Sequence, residues 1–336
     1  MTVTEEEHSA PGPPPDAPAR RWRPGSVEVL AVLLVLVVLL RGPITRSLAT
    51  PALQTWLTVF VSVLTQAIPF LVFGVVLSAI IAVFVPPSFF AKALPKHPAL
   101  AVPTASIAGV VLPGCECASV PVAGALVRRG VTPAAAFAFL LSSPAVNPVV
   151  LVSTAVAFPG QPQMVVGRAV TSLVVASLMG WLWQAFGKGS WLRMPSRAHL
   201  DGMAKWQAFW ASVRHDVLHA GGFLVIGAAS AAVIGVVVPK SWLEHVASNP
   251  VLAIVTLGLL AVLLSICSEA DAFVAASLTQ FSLTARLAFL VVGPMIDLKL
   301  FAMQAGIFGR RFALRFAPAT FVMAVLVSAL LGPVLL

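Results

Sequence analysis

Pro113-Gly114-Cys115-Glu116-Cys117-Ala118-Ser119-Val120-Pro121 interrupts a hydrophobic segment with two thiols, a carboxylate and two prolines. Proline removes a backbone donor and glycine loosens the chain, so a regular helix cannot run through this stretch undisturbed. Thiols and an acid on broken backbone inside apolar sequence predict a site buried within a membrane. At that depth non-helical backbone is tolerated only where it is covered by protein or lines a cavity.

Composition carries the same reading outward. The 336-residue chain is 59% hydrophobic and 10% charged, against about 25% charged residues in an ordinary soluble domain. Apolar runs at 27–40, 70–85, 251–266 and 317–336 recur along nearly its whole length. Only helices and closed barrels satisfy the backbone in lipid, and the period-two alternation of a barrel is absent. The expected fold is therefore an all-α polytopic membrane protein. The net charge of +9 does not point to nucleic acid, because Lys and Arg sit in short loops between apolar runs, where they set orientation. Three cysteines, two of them nearly adjacent, form no disulfide framework. Nothing at the N-terminus resembles a cleavable signal.

Residues 1–24 are acidic, then proline-rich, then basic, and predict a disordered cytoplasmic tail. An extra N-terminal span follows within 25–50. The segment 51–187 reads as a first repeat: a long crossing with a bend at Pro69, a hairpin over 99–127, and crossings at 133–158 and 163–186. Residues 188–219 form the longest basic loop, whose amphipathic end over 206–219 predicts an interfacial helix. A second repeat occupies 220–336, with its hairpin at 251–280 interrupted by Cys267-Ser268-Glu269. Both hairpins read as re-entrant or broken helices.

The halves resemble each other. Phe70-Leu71-Val72-Phe73-Gly74 aligns with Phe223-Leu224-Val225-Ile226-Gly227. Further on, Cys117 matches Cys267, Pro144 matches Pro294 and Asn147 matches Asp297, each pair 150 residues apart. Charge decides how the repeats are oriented. Arg128-Arg129 corresponds to the uncharged Leu278-Thr279, and the uncharged turn at 159–162 corresponds to Gly309-Arg310-Arg311-Phe312. The basic side has swapped, which predicts an inverted-topology repeat. With the N-terminus cytoplasmic, every strongly basic loop falls inside and the C-terminus ends outside. The expected location is the cytoplasmic membrane of the cell.

Inverted repeats with discontinuous helices place a solute site near the midplane, where the halves meet. If the two interruptions meet, Cys115, Cys117 and Cys267 face one another. Three thiolates suit a soft species such as trivalent arsenic or antimony. Glu116, Glu269 and Asp271 are candidates to take up protons released on ligation, which would couple transport to proton flow. Ser143, Asn147, Ser268 and Asp297 complete the candidate binding residues. Ser143 and Asn147 lie in a proline-interrupted crossing, and Asp297 is an acid at membrane depth.

Blander readings stand beside these. The cysteines can be small buried hydrophobes, and Asp297 can be satisfied by Lys299 or Asn147. His215 and His219 have zinc-protease spacing, but Asp216 replaces the Glu that motif needs as general base, and the segment is a basic amphipathic one. No phosphate-binding loop is present, and no cofactor is expected. The partners expected are a small-molecule or metalloid substrate and the lipid bilayer, with a homo-oligomer left open.

Three stretches carry a family resemblance. Cys115-Glu116-Cys117 through Val120-Pro121-Val122-Ala123, Leu141-Ser142-Ser143-Pro144-Ala145-Val146-Asn147-Pro148, and Cys267-Ser268-Glu269-Ala270-Asp271 resemble elements of a bacterial permease family that includes the organoarsenical efflux permeases. Many members of that family carry Gly where this chain has Ala118. The resemblance implies a multi-span permease and, for some members, efflux of trivalent organoarsenicals. The function expected is secondary-active export of a soft, thiol-reactive small solute. A permease for another solute, with cysteines that only pack, is the alternative, followed by an intramembrane thiol oxidoreductase.

Overall fold

The computed structural model describes residues 51–86, 89, 95, 97–111, 116–193, 204–237 and 249–336. The expected tail at 1–24, the expected span at 25–50 and Cys115 lie outside the described residues. Among the described residues the regular structure is helical throughout. Twelve α-helices follow one another: α1 Pro51–Phe84, α2 Pro98–Ala108, α3 Glu116–Arg128, α4 Pro133–Val146, α5 Pro148–Ala157, α6 Pro162–Phe186, α7 Lys205–Val237, α8 Pro250–Leu264, α9 Asp271–Ser277, α10 Leu283–Met295, α11 Leu298–Ile307 and α12 Arg310–Leu335.

The order repeats after six elements. Long helices α1 and α7 have 34 and 33 residues, and the closing helices α6 and α12 have 25 and 26. Between them each half places two short helices (α2 and α3, α8 and α9), then a crossing split in two (α4 and α5, α10 and α11). Contacts between the halves follow this equivalence. Helix α1 packs on α7, α4 on α10 and α6 on α12, while the contact of α3 with α11 is matched by that of α9 with α5.

Local chemistry accounts for the boundaries. Six helices begin at proline (Pro51, Pro98, Pro133, Pro148, Pro162 and Pro250), where the missing N–H costs no helical hydrogen bond. The split crossings end just beyond Pro144 and Pro294, and each restarts from a side-chain cap. Asn147 Oδ1 accepts from Val150 N at 3.0 Å and Asp297 Oδ1 from Leu300 N at 2.6 Å. Gly160 and Gly309 take φ of 75° and 99° at the equivalent turns into α6 and α12, a region L side chains rarely enter.

Six helices are long and apolar enough to cross a bilayer among the described residues, three in each half, with α4–α5 and α10–α11 each counting as one crossing. This is a multi-pass membrane protein. Helices α4 and α10 form its centre and are buried almost all round, as an all-round apolar helix must be. Peripheral helices leave Val61, Val152, Leu326 and Leu330 exposed, as lipid-facing positions require. Two local expectations change in form. Pro69 lies inside a continuous α1. The segment expected at the interface over 206–219 and the crossing after it are a single helix, α7, so residue 219 marks no break.

Arg128, His215 and His219 border one cavity of about 20 Å³ together with Pro121, Asp216, Ala220 and Ile307. Arg193 N donates to Phe308 O at 2.8 Å, and the Arg315 guanidinium stands 4.4 Å over the Trp191 ring. Phe137 at the start of α4 packs against Phe308, Phe312 and Phe316 with centroids 4.6–5.3 Å apart, tying α4 to α12.

Candidate solute site between the two halves

The two interruptions meet inside the bundle. Glu116 opens α3 and is wholly buried. Ser268, in the break between α8 and α9, donates from Oγ to Glu116 Oε2 at 3.1 Å. The other carboxylate oxygen, Oε1, lies 2.6 Å from the Lys299 ammonium. Lys299 stands in the first turn of α11, 3.4 Å from Asp297 Oδ2 and 3.8 Å from Cys267 Sγ. Cys117 is buried one residue after Glu116 and is within electrostatic range of the same ammonium.

A second ion pair adjoins the first. Arg168, from the second turn of α6, lies 2.8 Å from Asp271 Oδ2. Its guanidinium also donates to Ser268 O at 3.2 Å and to Thr154 Oγ1 at 2.9 Å. The fork geometry of guanidinium suits this three-way grip. Ser268 therefore touches both pairs, through its hydroxyl and its carbonyl. Glu269 is half-buried beside them, within electrostatic range of Glu116, Lys299 and Arg168.

Each ion pair joins the halves, with Glu116 and Arg168 from the first and Lys299 and Asp271 from the second. Fully ionised, the four acids Glu116, Glu269, Asp271 and Asp297 carry four negative charges against two positive. Asp271 Oδ1 accepts no hydrogen bond. A buried cluster with surplus negative charge can hold protons or a cationic group, since isolated charge is costly in a low dielectric.

Backbone contacts press the site together. A Cβ on Gly74 would stand 2.4 Å from Ala118 Cα, and one on Gly227 would stand 2.4 Å from Lys299 Cα. These two glycines are equivalent in the repeat, and each lets a long helix, α1 or α7, approach a site residue or its neighbour. Ala118, the departure from the resembled motif, thus packs directly on a glycine. Ser265 holds φ of 48° at the end of α8, and its Oγ accepts from Leu298 N at 3.2 Å, pinning the break to the start of α11.

The remaining expected residues take other places. Ser143 lies on α4, where the turn at Gly109 packs: a Cβ there would meet Ser143 N at 2.8 Å. Its Oγ is buried with no hydrogen-bond partner. Asn147 caps α5. His215 and His219 stack at 6.0 Å on α7, with His219 Nε2 3.0 Å from Gly306 O, and no group of three or more metal-ligating side chains occurs among the described residues. Arg168 went unread in the sequence, although a lone arginine in the apolar run 162–186 is a signal in itself. Lys299 was read only as a partner for Asp297.

A broken-helix, two-halved bundle with a buried polar site at the junction defines a membrane permease. Residues 52–332 match the ArsP_1 family, described as "Predicted permease", and the chain belongs to that family. It is 37% identical over 262 residues to UPF0718 protein YcgR of Bacillus subtilis (strain 168), covering 76% of this chain and 89% of that protein. It is 31% identical over 284 residues to a protein of Streptococcus mutans serotype c named "Putative two-component membrane permease complex subunit", covering 82% and 94%. No solved structure matches the chain.

Proposed function

We propose that this permease is a secondary-active exporter of a soft, thiol-reactive small solute, of which a trivalent organoarsenical is the representative, and that its flux is coupled to protons. The observation that carries the reading is the meeting of the two interruptions: Ser268 of one bonds Glu116 of the other at 3.1 Å, with Cys117 and Cys267 buried beside them. Thiols supply soft ligands. The surplus of buried acids supplies places for protons. Cys117 and Cys267 are assigned as ligands, together with Cys115, which adjoins Glu116 in sequence. Ser143, Asn147, Ser268 and Asp297 are assigned to the walls of the solute site, and Glu116, Glu269 and Asp271 to proton handling.

The repeat is read as inverted. Three crossings per half is an odd number, and the swap of basic loops between the halves then assigns the basic side as the cytoplasmic face. The name of the Streptococcus mutans relative speaks of a two-component complex, and a second subunit for this chain belongs to the same reading.

Everted vesicles containing the protein should accumulate a trivalent arsenical, and Cys117→Ser or Cys267→Ser should abolish that accumulation. A second reading, a permease for another solute with packing cysteines, draws on the two ion pairs, which need no thiol. Under it both serine variants transport normally while Asp297→Asn does not. Equal accumulation by the variants and the parent would overturn the thiolate assignment.

A further inference from the structure

We propose that Lys299 is an internal stand-in for the transported solute: its ammonium fills the acid–thiol site of the unloaded protein and leaves when solute binds. The proposal rests on the reading of this site as a transport site.

The groups around the ammonium are the groups a solute would need. Glu116 Oε1 at 2.6 Å, Asp297 Oδ2 at 3.4 Å and Cys267 Sγ at 3.8 Å come from α3, the cap of α11 and the break after α8. A solute that ligates Cys267 must share or take the space that the ammonium now occupies.

The two buried ion pairs differ in how firmly they are held. Arg168 is gripped at three points, by Asp271, Ser268 O and Thr154 Oγ1, through a planar fork. Lys299 is a point charge on a flexible four-carbon stem. Its ammonium meets Glu116 Oε1 and Asp297 Oδ2 as single contacts, without the planar fork that fixes a guanidinium. Gly227 meanwhile clamps the Lys299 backbone against α7. The main chain is held while the ammonium sits at the end of a four-carbon stem, which suits a displaceable cation.

The need for such a residue follows from the transport cycle. A secondary exporter must return without cargo, and carrying bare acids through a low-dielectric interior is unfavourable. Protons bound by the acids offset their charge on the loaded leg, and the ammonium offsets one of them on the return. Exchange of solute for solute involves only the loaded site and does not need the stand-in. Net export does.

The test uses the full chain reconstituted in liposomes, with a trivalent phenylarsenical as probe. For Lys299→Met, net efflux should fall by about ten-fold or more, and by at least about five-fold more than exchange with probe on both sides falls. Loss of both modes together, or retention of both, overturns the proposal. A measurement on the unaltered protein removes any dependence on the variant's folding: amine labelling of Lys299, read by mass spectrometry, should rise when the probe saturates the site. Labelling that does not change also overturns it. If the unaltered protein carries the probe in neither mode, the exporter reading itself fails. If it carries the probe and only the Lys299 results disagree, the stand-in alone fails.

Discussion

Arg168 Nη2 lies 2.8 Å from Asp271 Oδ2, with side chains no more than 3% exposed, and the two residues come from opposite halves of the chain. Removing one partner of a buried pair leaves an uncompensated charge and costs about 3–5 kcal/mol, whereas removing both can be nearly neutral. Arg168→Met alone should therefore lower the thermal midpoint of the detergent-solubilised protein sharply. Arg168→Met with Asp271→Leu should recover most of the loss. A double variant as unstable as the single would show that Arg168 matters through Ser268 and Thr154 instead.

Gly74 and Gly227 predict a loss of transport without loss of any polar group. A methyl at either position meets backbone at 2.4 Å, so a helix must move. Overpacking of this kind costs about 1–3 kcal/mol. Gly227→Ala displaces the Lys299 backbone directly and should impair flux more than Gly222→Ala, whose Cβ would meet nothing within 4 Å. Parallel flux and melting measurements on the two variants check this, and equal flux would remove the close approach from the mechanism.

Asp297 has two jobs that substitution can separate. It caps α11 through Leu300 N and stands beside Lys299. Asp297→Asn keeps an oxygen for the cap and should melt close to the parent while failing in transport. Asp297→Ala loses the cap as well, at a further cost of about 0.5–2 kcal/mol. Identical melting of the two variants would mean the cap contributes nothing.

Ser265 combines a positive φ with a hydrogen bond to Leu298 N. Ser265→Ala loses the bond, worth about 0.5–1.5 kcal/mol, and keeps the strain. Ser265→Gly loses the same bond but adopts the conformation freely. Glycine should therefore be the more stable of the two. The reverse order in thermal unfolding would rule out backbone strain at this position.

Much of the fold was readable because membrane burial imposes strong local rules. Apolar runs, prolines at helix starts and the paired polar breaks all act within a few residues. They marked the polar stretches at Cys117 and Cys267 and the proline-bearing crossings around Asn147 and Asp297, though each crossing was read as continuous. The continuity of α7 was not readable. Residues 206–219 are amphipathic while those after them are apolar, and that change of pattern looks like a boundary although the helical backbone passes through it.

The site was legible only in part. Matching polar positions drew attention to Glu116, Ser268, Asp271 and Asp297, yet nothing in the chain order says that Ser268 reaches Glu116 across 152 residues. Arg168 resembles a stray charge in a crossing until Asp271 and Ser268 close around it. By itself, the sequence determined that the protein is a helical, multi-span membrane protein with two polar interruptions, because in lipid the backbone must satisfy itself locally. Only the tertiary structure decided which acid each cation serves and that both pairs join the halves. Charge pairing depends on distances of a few ångströms between residues remote in the chain, and those distances are set by helix packing, including the close approaches at Gly74 and Gly227.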